Sequence, residues 1–145
     1  MKFNYYIILV LTTFIVPCLS SKKIEFQSRS YGGELHKQLE TANRLVIRNS
    51  MGDQSIYCTV TNTVELAKIV THINFKPDLH ANMCGCYGNP IFDWYAGTNR
   101  ISRIWLKHSY GFMMEDFYIG YLNKSDSEWF QTWLLDHGLT EQDIR

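Results

Sequence analysis

Ile91-Phe92-Asp93-Trp94-Tyr95-Ala96-Gly97-Thr98-Asn99-Arg100-Ile101-Ser102-Arg103-Ile104-Trp105-Leu106 is the stretch on which the fold turns. Ile91 to Tyr95 and Ile101 to Leu106 alternate in character around Ala96-Gly97-Thr98-Asn99, the pattern of two strands joined by a turn. With Tyr95 opposite Ile101, Asp93 falls opposite Arg103. Opposite charges directly across a sheet contribute only about 0.2–1 kcal/mol, so the pair matters as a register marker. Beyond the hairpin, Phe112 to Met114 and Phe117 to Tyr121 are further strand candidates, split by Glu115-Asp116.

A helix closes this run. Ser125 with Glu128 has the spacing of a capping box, and Trp129, Phe130, Trp133 and Leu134 make a broad apolar face. Gly138 suits the left-handed position after the helix, with Leu139 placed to fold back onto it. Upstream of the hairpin, Asn62 and Glu65 mark another helix start, with Leu66, Ile69, Val70 and Ile73 on one face and Pro77 beyond the end. Arg44 to Arg48 reads as a strand, Asn49 to Gln54 as a turn, and Ile56, Cys58 and Val60 as the inward positions of a half-buried strand. Leu35, Leu39 and Ala42 predict a first helix over Glu34 to Asn43. The sum is an α+β domain: a two-layer sandwich with a mainly antiparallel sheet and two or three helices on one face.

The chain has 145 residues. Its start, with Lys2 before the apolar run Tyr5 to Val16, then Pro17 and Cys18-Leu19-Ser20, reads as a signal peptide over residues 1–20. Residues 21–145 are then a single globular domain, secreted or periplasmic, with no stable membrane insertion after cleavage. The apolar run falls short of the roughly 20 residues a spanning helix needs; retention as an anchor is the alternative. The formal net charge is +0 and no Lys/Arg stripe is present, which argues against nucleic-acid and anionic-membrane partners.

Of four cysteines, Cys58, Cys84 and Cys86 follow the leader. An odd number after export points to one disulfide with a free thiol, or to a bond with another chain. Cys84-Gly85-Cys86 closes too small a loop for easy pairing, so a bond from Cys58 to one of them is the expectation. The competing reading is a thiol or metal module, with Cys84, Cys86 and His108 as soft ligands for zinc or copper. A hydrolase using His108 with Asp93 or Asp116 is a third; no Gly-x-Ser-x-Gly elbow exposes a nucleophile. No catalytic residue and no cofactor is indicated. Asn123-Lys124-Ser125 matches a glycosylation sequon. Trp94, Tyr95, Trp105, Tyr110, Phe117, Tyr118 and Tyr121 are the more telling set, because strand alternation forces some of them onto the sheet face away from the helices, where they would form a protein-binding patch.

Met83-Cys84-Gly85-Cys86-Tyr87-Gly88, the hairpin and Lys107-His108-Ser109 resemble a family of small bacterial α+β proteins without an assigned activity, some encoded near toxin systems. The resemblance covers roughly residues 34 to 139, and its sharp pieces are Cys84, Cys86, Gly88 and His108. Family members often carry His-His-Gly and then Leu-Arg-Trp where this chain has Lys107-His108-Ser109 and Phe112-Met113-Met114. The resemblance implies a bacterial origin and this fold. Together with the aromatic sheet and the lack of a catalytic constellation, it makes an exported non-enzymatic protein-binding or inhibitor protein of the immunity kind the leading expectation.

Overall fold

The computed structural model describes residues 33–74, 76–77, 88–108, 111–114 and 119–144. Leu35 and Leu39 are both buried, and the chain is helical over residues 33–40 (α1). The helix ends short of the expected Asn43. The Thr41 hydroxyl donates to the Gln38 carbonyl at 2.7 Å, and the Asn43 N–H donates to the Tyr95 carbonyl at 2.9 Å, which commits the chain to the sheet.

Strands β1 (Arg44–Arg48) and β2 (Ile56–Val60) lie where the sequence placed them, but β2 bulges at Tyr57, between the pairs Ile47–Cys58 and Arg48–Ile56, and Ile56 is exposed where alternation set it inward. Helix α2 (Thr63–His72) starts at Asn62, whose side-chain oxygen accepts from the N–H groups of Val64 and Glu65. Glu65 does not complete a capping box. Its carboxylate accepts from Trp133 Nε1 at 3.0 Å and meets His137 Nε2 at 3.0 Å, a tertiary use that local spacing does not reveal. A two-residue strand, β3 (Lys76–Pro77), follows.

The hairpin is β4 (Ile91–Ala96) and β5 (Asn99–Lys107), joined by Gly97 and Thr98, with Gly97 at φ +62°. Ala96 pairs with Asn99, so the turn has two residues rather than four. Asp93 is opposite Arg103 as expected. Tyr95, however, faces Arg100 and not Ile101, because the register shifts at a bulge between Trp94 and Tyr95. Just before β4, a Cβ at Gly88 would collide with the Leu106 carbonyl, so glycine there permits the close approach to β5.

Strands β6 (Gly111–Met114) and β7 (Ile119–Tyr121) precede helix α3 (Lys124–Asp136). The cap of α3 is Asn123, two residues before the expected Ser125. Its Oδ1 accepts from the Asp126 N–H at 2.8 Å and its Nδ2 donates to Asp126 Oδ2 at 2.6 Å. The sequon asparagine is thus held on both sides of its amide. At the other end Gly138 takes φ +90°, Leu139 N–H donates to the Leu134 carbonyl and Gly138 N–H to that of Leu135. That is the Schellman pattern, and Leu139 folds back into the core.

Among the described residues the strands form one antiparallel sheet in the order β2-β1-β4-β5-β6-β7-β3. The fold is a mixed α+β fold. One hydrophobic cluster joins Leu45, Ile47, Phe92, Trp94, Ile104, Leu106 and Phe112 of the sheet to buried residues of all three helices. Phe130 of α3 sits edge-on to both Phe92 and Phe112, at centroid distances of 6.1 and 5.5 Å. Because successive strand residues point to opposite faces, Val46, Ile91 and Asp93 lie on the other side of the same strands, and they are buried as well. Among the described residues no helix is long and apolar enough to cross a membrane.

Candidate functional site

The expected metal trio is not assembled by the described residues. Cys84 and Cys86 lie outside them, as do Tyr110, Asp116, Phe117, Tyr118 and residues 1–20. His108 occupies the turn after β5, exposed, with its backbone at φ 50°. Among the described residues no group of three or more His, Cys, Asp and Glu side chains is placed to hold a metal ion. The expected disulfide from Cys58 is corrected: Cys58 is a free thiol. It is half-buried against the core, and burial together with the nearby Glu65 charge pushes its pKa up to about 11. A thiol so shifted is almost wholly protonated near neutral pH and is a poor nucleophile.

The aromatic set divides between the two faces. Trp94 is fully buried in the helix-covered core, so it cannot serve a surface patch. Tyr95, Trp105 and Tyr121 are half-buried. Tyr95 and Trp105 stand with the cluster that is chemically most distinct on the sheet, the one around Asp93.

Alternation along β4 sends Phe92 and Trp94 to the core and Asp93 to the opposite face, where its side chain has 0% exposure. Arg103, directly across the hairpin, grips both carboxylate oxygens, Nε to Oδ1 at 2.6 Å and Nη2 to Oδ2 at 2.8 Å. Arg48 reaches the same carboxylate from β1, Nε to Oδ2 at 3.1 Å. Arg100 adds a longer contact, Nη1 to Oδ1 at 3.9 Å. The planar guanidinium fork suits this two-point grip, and charge-assisted bonds of this kind are short and orienting. Both Asp93 oxygens therefore accept from guanidinium donors.

The three arginines are not equally covered: the side chains of Arg103, Arg48 and Arg100 are 18, 26 and 38% exposed. Aromatic rings flank them. The Arg44 guanidinium lies 4.3 Å from the Tyr95 ring centroid, and that of Arg103 lies 6.0 Å from Trp105. Strands β1, β4 and β5 therefore gather four arginines, one carboxylate and two large aromatics.

No family model, curated protein or solved structure matches the chain. The site must be judged on its own chemistry. Among the described residues this cluster sets four guanidinium groups around one carboxylate. Such a cluster can orient carboxylates or other anions by paired N–H donors, and it contains no nucleophile.

A second polar cluster ties α2 to α3. His72 Nδ1 lies 2.9 Å from Asp126 Oδ1, the carboxylate that Asn123 also holds. His72 stacks on Trp129 at 4.0 Å between ring centroids, Trp129 on Trp133 at 6.1 Å, and Trp133 is followed by His137 at 4.1 Å. His137 closes the ladder on Glu65. Each end of the stack is an imidazole–carboxylate pair, and both pairs bridge the two helices. We assign this cluster to helix docking. Its visible sequence sign is the i, i+4, i+8 spacing of Trp129, Trp133 and His137; the partners Glu65 and His72, across the interface, carry no such sign.

Proposed function

We propose that the protein is an exported, non-enzymatic binding or inhibitor protein of the immunity kind, and that it recognises an acidic partner through the arginine–aromatic cluster of β1, β4 and β5. The observation that carries this reading is the fixing of Arg48, Arg100 and Arg103 around the fully buried Asp93. A guanidinium already held in position loses less conformational freedom on binding than one on a loose side chain. Arg, Tyr and Trp are also the residue types that dominate the energetics of protein interfaces. Export rests on the leader-like residues 1–20, and the immunity association rests on the family resemblance.

The test is affinity capture from the secreted and envelope proteins of the host, with the full exported chain immobilised beside its Arg100→Glu variant. The expected result is a partner retained by the wild-type chain, released as salt rises toward about 1 M, and lost with the variant. Retention of the same proteins at the same salt by both chains would refute this site.

A further inference from the structure

We infer that Arg44 is the residue that meets a carboxylate side chain of the partner, while Arg48 and Arg103 build the surface around it. The inference rests on the reading of β1, β4 and β5 as the recognition face and names its contact point. Arg48 and Arg103 direct their donors inward to Asp93, at 3.1, 2.6 and 2.8 Å. Arg44 is placed differently. It shares one side of β1 with Arg48 but carries its guanidinium over Tyr95, its register partner on β4, at 4.3 Å from the ring centroid. Among the described residues no carboxylate is bonded to Arg44, and its Nε is buried without an acceptor.

Stacking engages the face of a guanidinium and leaves the donors in its plane free. Arg44 is half-buried, so with Nε covered its open end is the pair of NH2 groups. A donor buried without a partner is costly, and such groups are uncommon in native folds. The same low-dielectric surroundings strengthen the pull of the outer edge on an anion. Contact with Tyr95 also holds the group in place before a partner arrives, which lowers the entropy lost on binding.

A carboxylate is the anion that this edge fits. It is planar and accepts two parallel N–H bonds, the grip that Arg103 already has on Asp93. Arg100 pairs with Tyr95 from β5, so Arg44, Tyr95 and Arg100 form one row across three strands. An aspartate or glutamate side chain on the partner's surface would enter beside Tyr95 in that row.

Titration of a hexaglutamate peptide into the full exported chain at about 20 mM salt, read by calorimetry, tests this. Urea unfolding of the same samples is measured alongside. The wild-type chain is expected to bind hexaglutamate and not hexaglutamine. Arg44→Met keeps an apolar contact with Tyr95 and removes an unpartnered buried donor. It should weaken binding at least about tenfold and leave the urea midpoint unchanged or higher. Arg103→Met, by contrast, should lower the midpoint. Wild-type affinity in Arg44→Met, with binding lost in Arg100→Glu, overturns the role of Arg44 and leaves the recognition face standing. A midpoint lowered as far by Arg44→Met as by Arg103→Met also overturns that role, since Arg44 would then support the sheet. Binding that is absent in the wild type, or equal in all three chains, overturns the recognition face together with the inference.

Discussion

Replacing Asp93 by asparagine should destabilise the protein by about 3 kcal/mol. Asp93 is fully buried and accepts three short guanidinium bonds, at 2.6, 2.8 and 3.1 Å. Asparagine keeps the volume, so the change leaves no cavity. It removes the negative charge and turns an NH2 group toward guanidinium donors. Taking one partner from a buried ion pair typically costs about 3–5 kcal/mol, because the remaining charge stays without compensation. Here the arginines are 18 to 38% exposed, and hydration of their outer edges puts the cost at the low end of that range. Stabilities of natural domains are about 5–15 kcal/mol in total, so the loss is easily read. Urea unfolding followed by tryptophan fluorescence should show a lower midpoint at unchanged slope. The variants Arg103→Met and Asp93→Asn/Arg103→Met complete a double-mutant cycle. A coupling of at least about 1.5 kcal/mol is expected for charges this close. A loss below about 1 kcal/mol for Asp93→Asn, or a coupling near zero, would refute the view that Asp93 anchors this face.

Three further outcomes follow from the geometry. Cys58, with its pKa pushed up to about 11 by burial and by Glu65, should alkylate in the folded protein about a hundredfold more slowly at pH 8 than an unshifted thiol of pKa 9.0, as read by peptide mass spectrometry in native and urea-unfolded samples. Asn123→Ala removes the cap of α3 and the amide that holds Asp126; a loss of about 1–2 kcal/mol is expected in the same urea assay, whereas Ser125→Ala, which the sequence pattern favoured as the cap, should be nearly silent. Asp143 accepts from Thr140 and from the Tyr57 hydroxyl, and these bonds lower its pKa below 3.8. A depressed carboxyl stabilises the fold above its unfolded pKa and loses that contribution as pH falls through the folded one. Asp143→Asn should therefore flatten the acid limb of stability below about pH 4, and an unchanged limb would contradict the assignment.

Elements whose signal is local were legible in the sequence. The strands Arg44 to Arg48 and Ile56 to Val60, the Asn62 cap, the apolar face of α2 and the left-handed Gly138 each follow from residues within one turn or one strand. The misplaced features depend on contacts across the chain. Ser125 and Glu128 have good cap spacing, yet Asn123 wins because Asp126 both donates to it and accepts from it while binding His72 of another helix. The turn Ala96 to Asn99 was legible, but the bulge that moves Tyr95 opposite Arg100 was not. For the site, the pairing of Asp93 with Arg103 could be read from hairpin spacing alone. Arg48, contributed by a strand more than forty residues earlier, could not, because sheet order is absent from any local pattern.

The placement of that cluster carries a consequence for the fold itself. A strand with Phe92 and Trp94 on one face has a period of two, so a slip of one residue would drive Asp93 into the helix-covered core and bring Phe92 or Trp94 to the other side. An apolar residue at position 93 would lower the cost of such a slip, since both faces of β4 would then be apolar: Ile91 on the Asp93 side is already buried to 3% exposure. With aspartate there, the slipped sheet would bury a carboxylate away from Arg48 and Arg103 and leave those guanidiniums without it. The penalty belongs to the wrong register and not to the native one. Asp93 can thus specify which face of the sheet meets the helices even if a hydrophobic residue of similar size would pack there without loss of native stability. The same constraint that fixes the register also sets the arginines at defined positions beside Tyr95 and Trp105. A recognition surface on β1, β4 and β5 would therefore inherit its geometry from the interaction that aligns the strands.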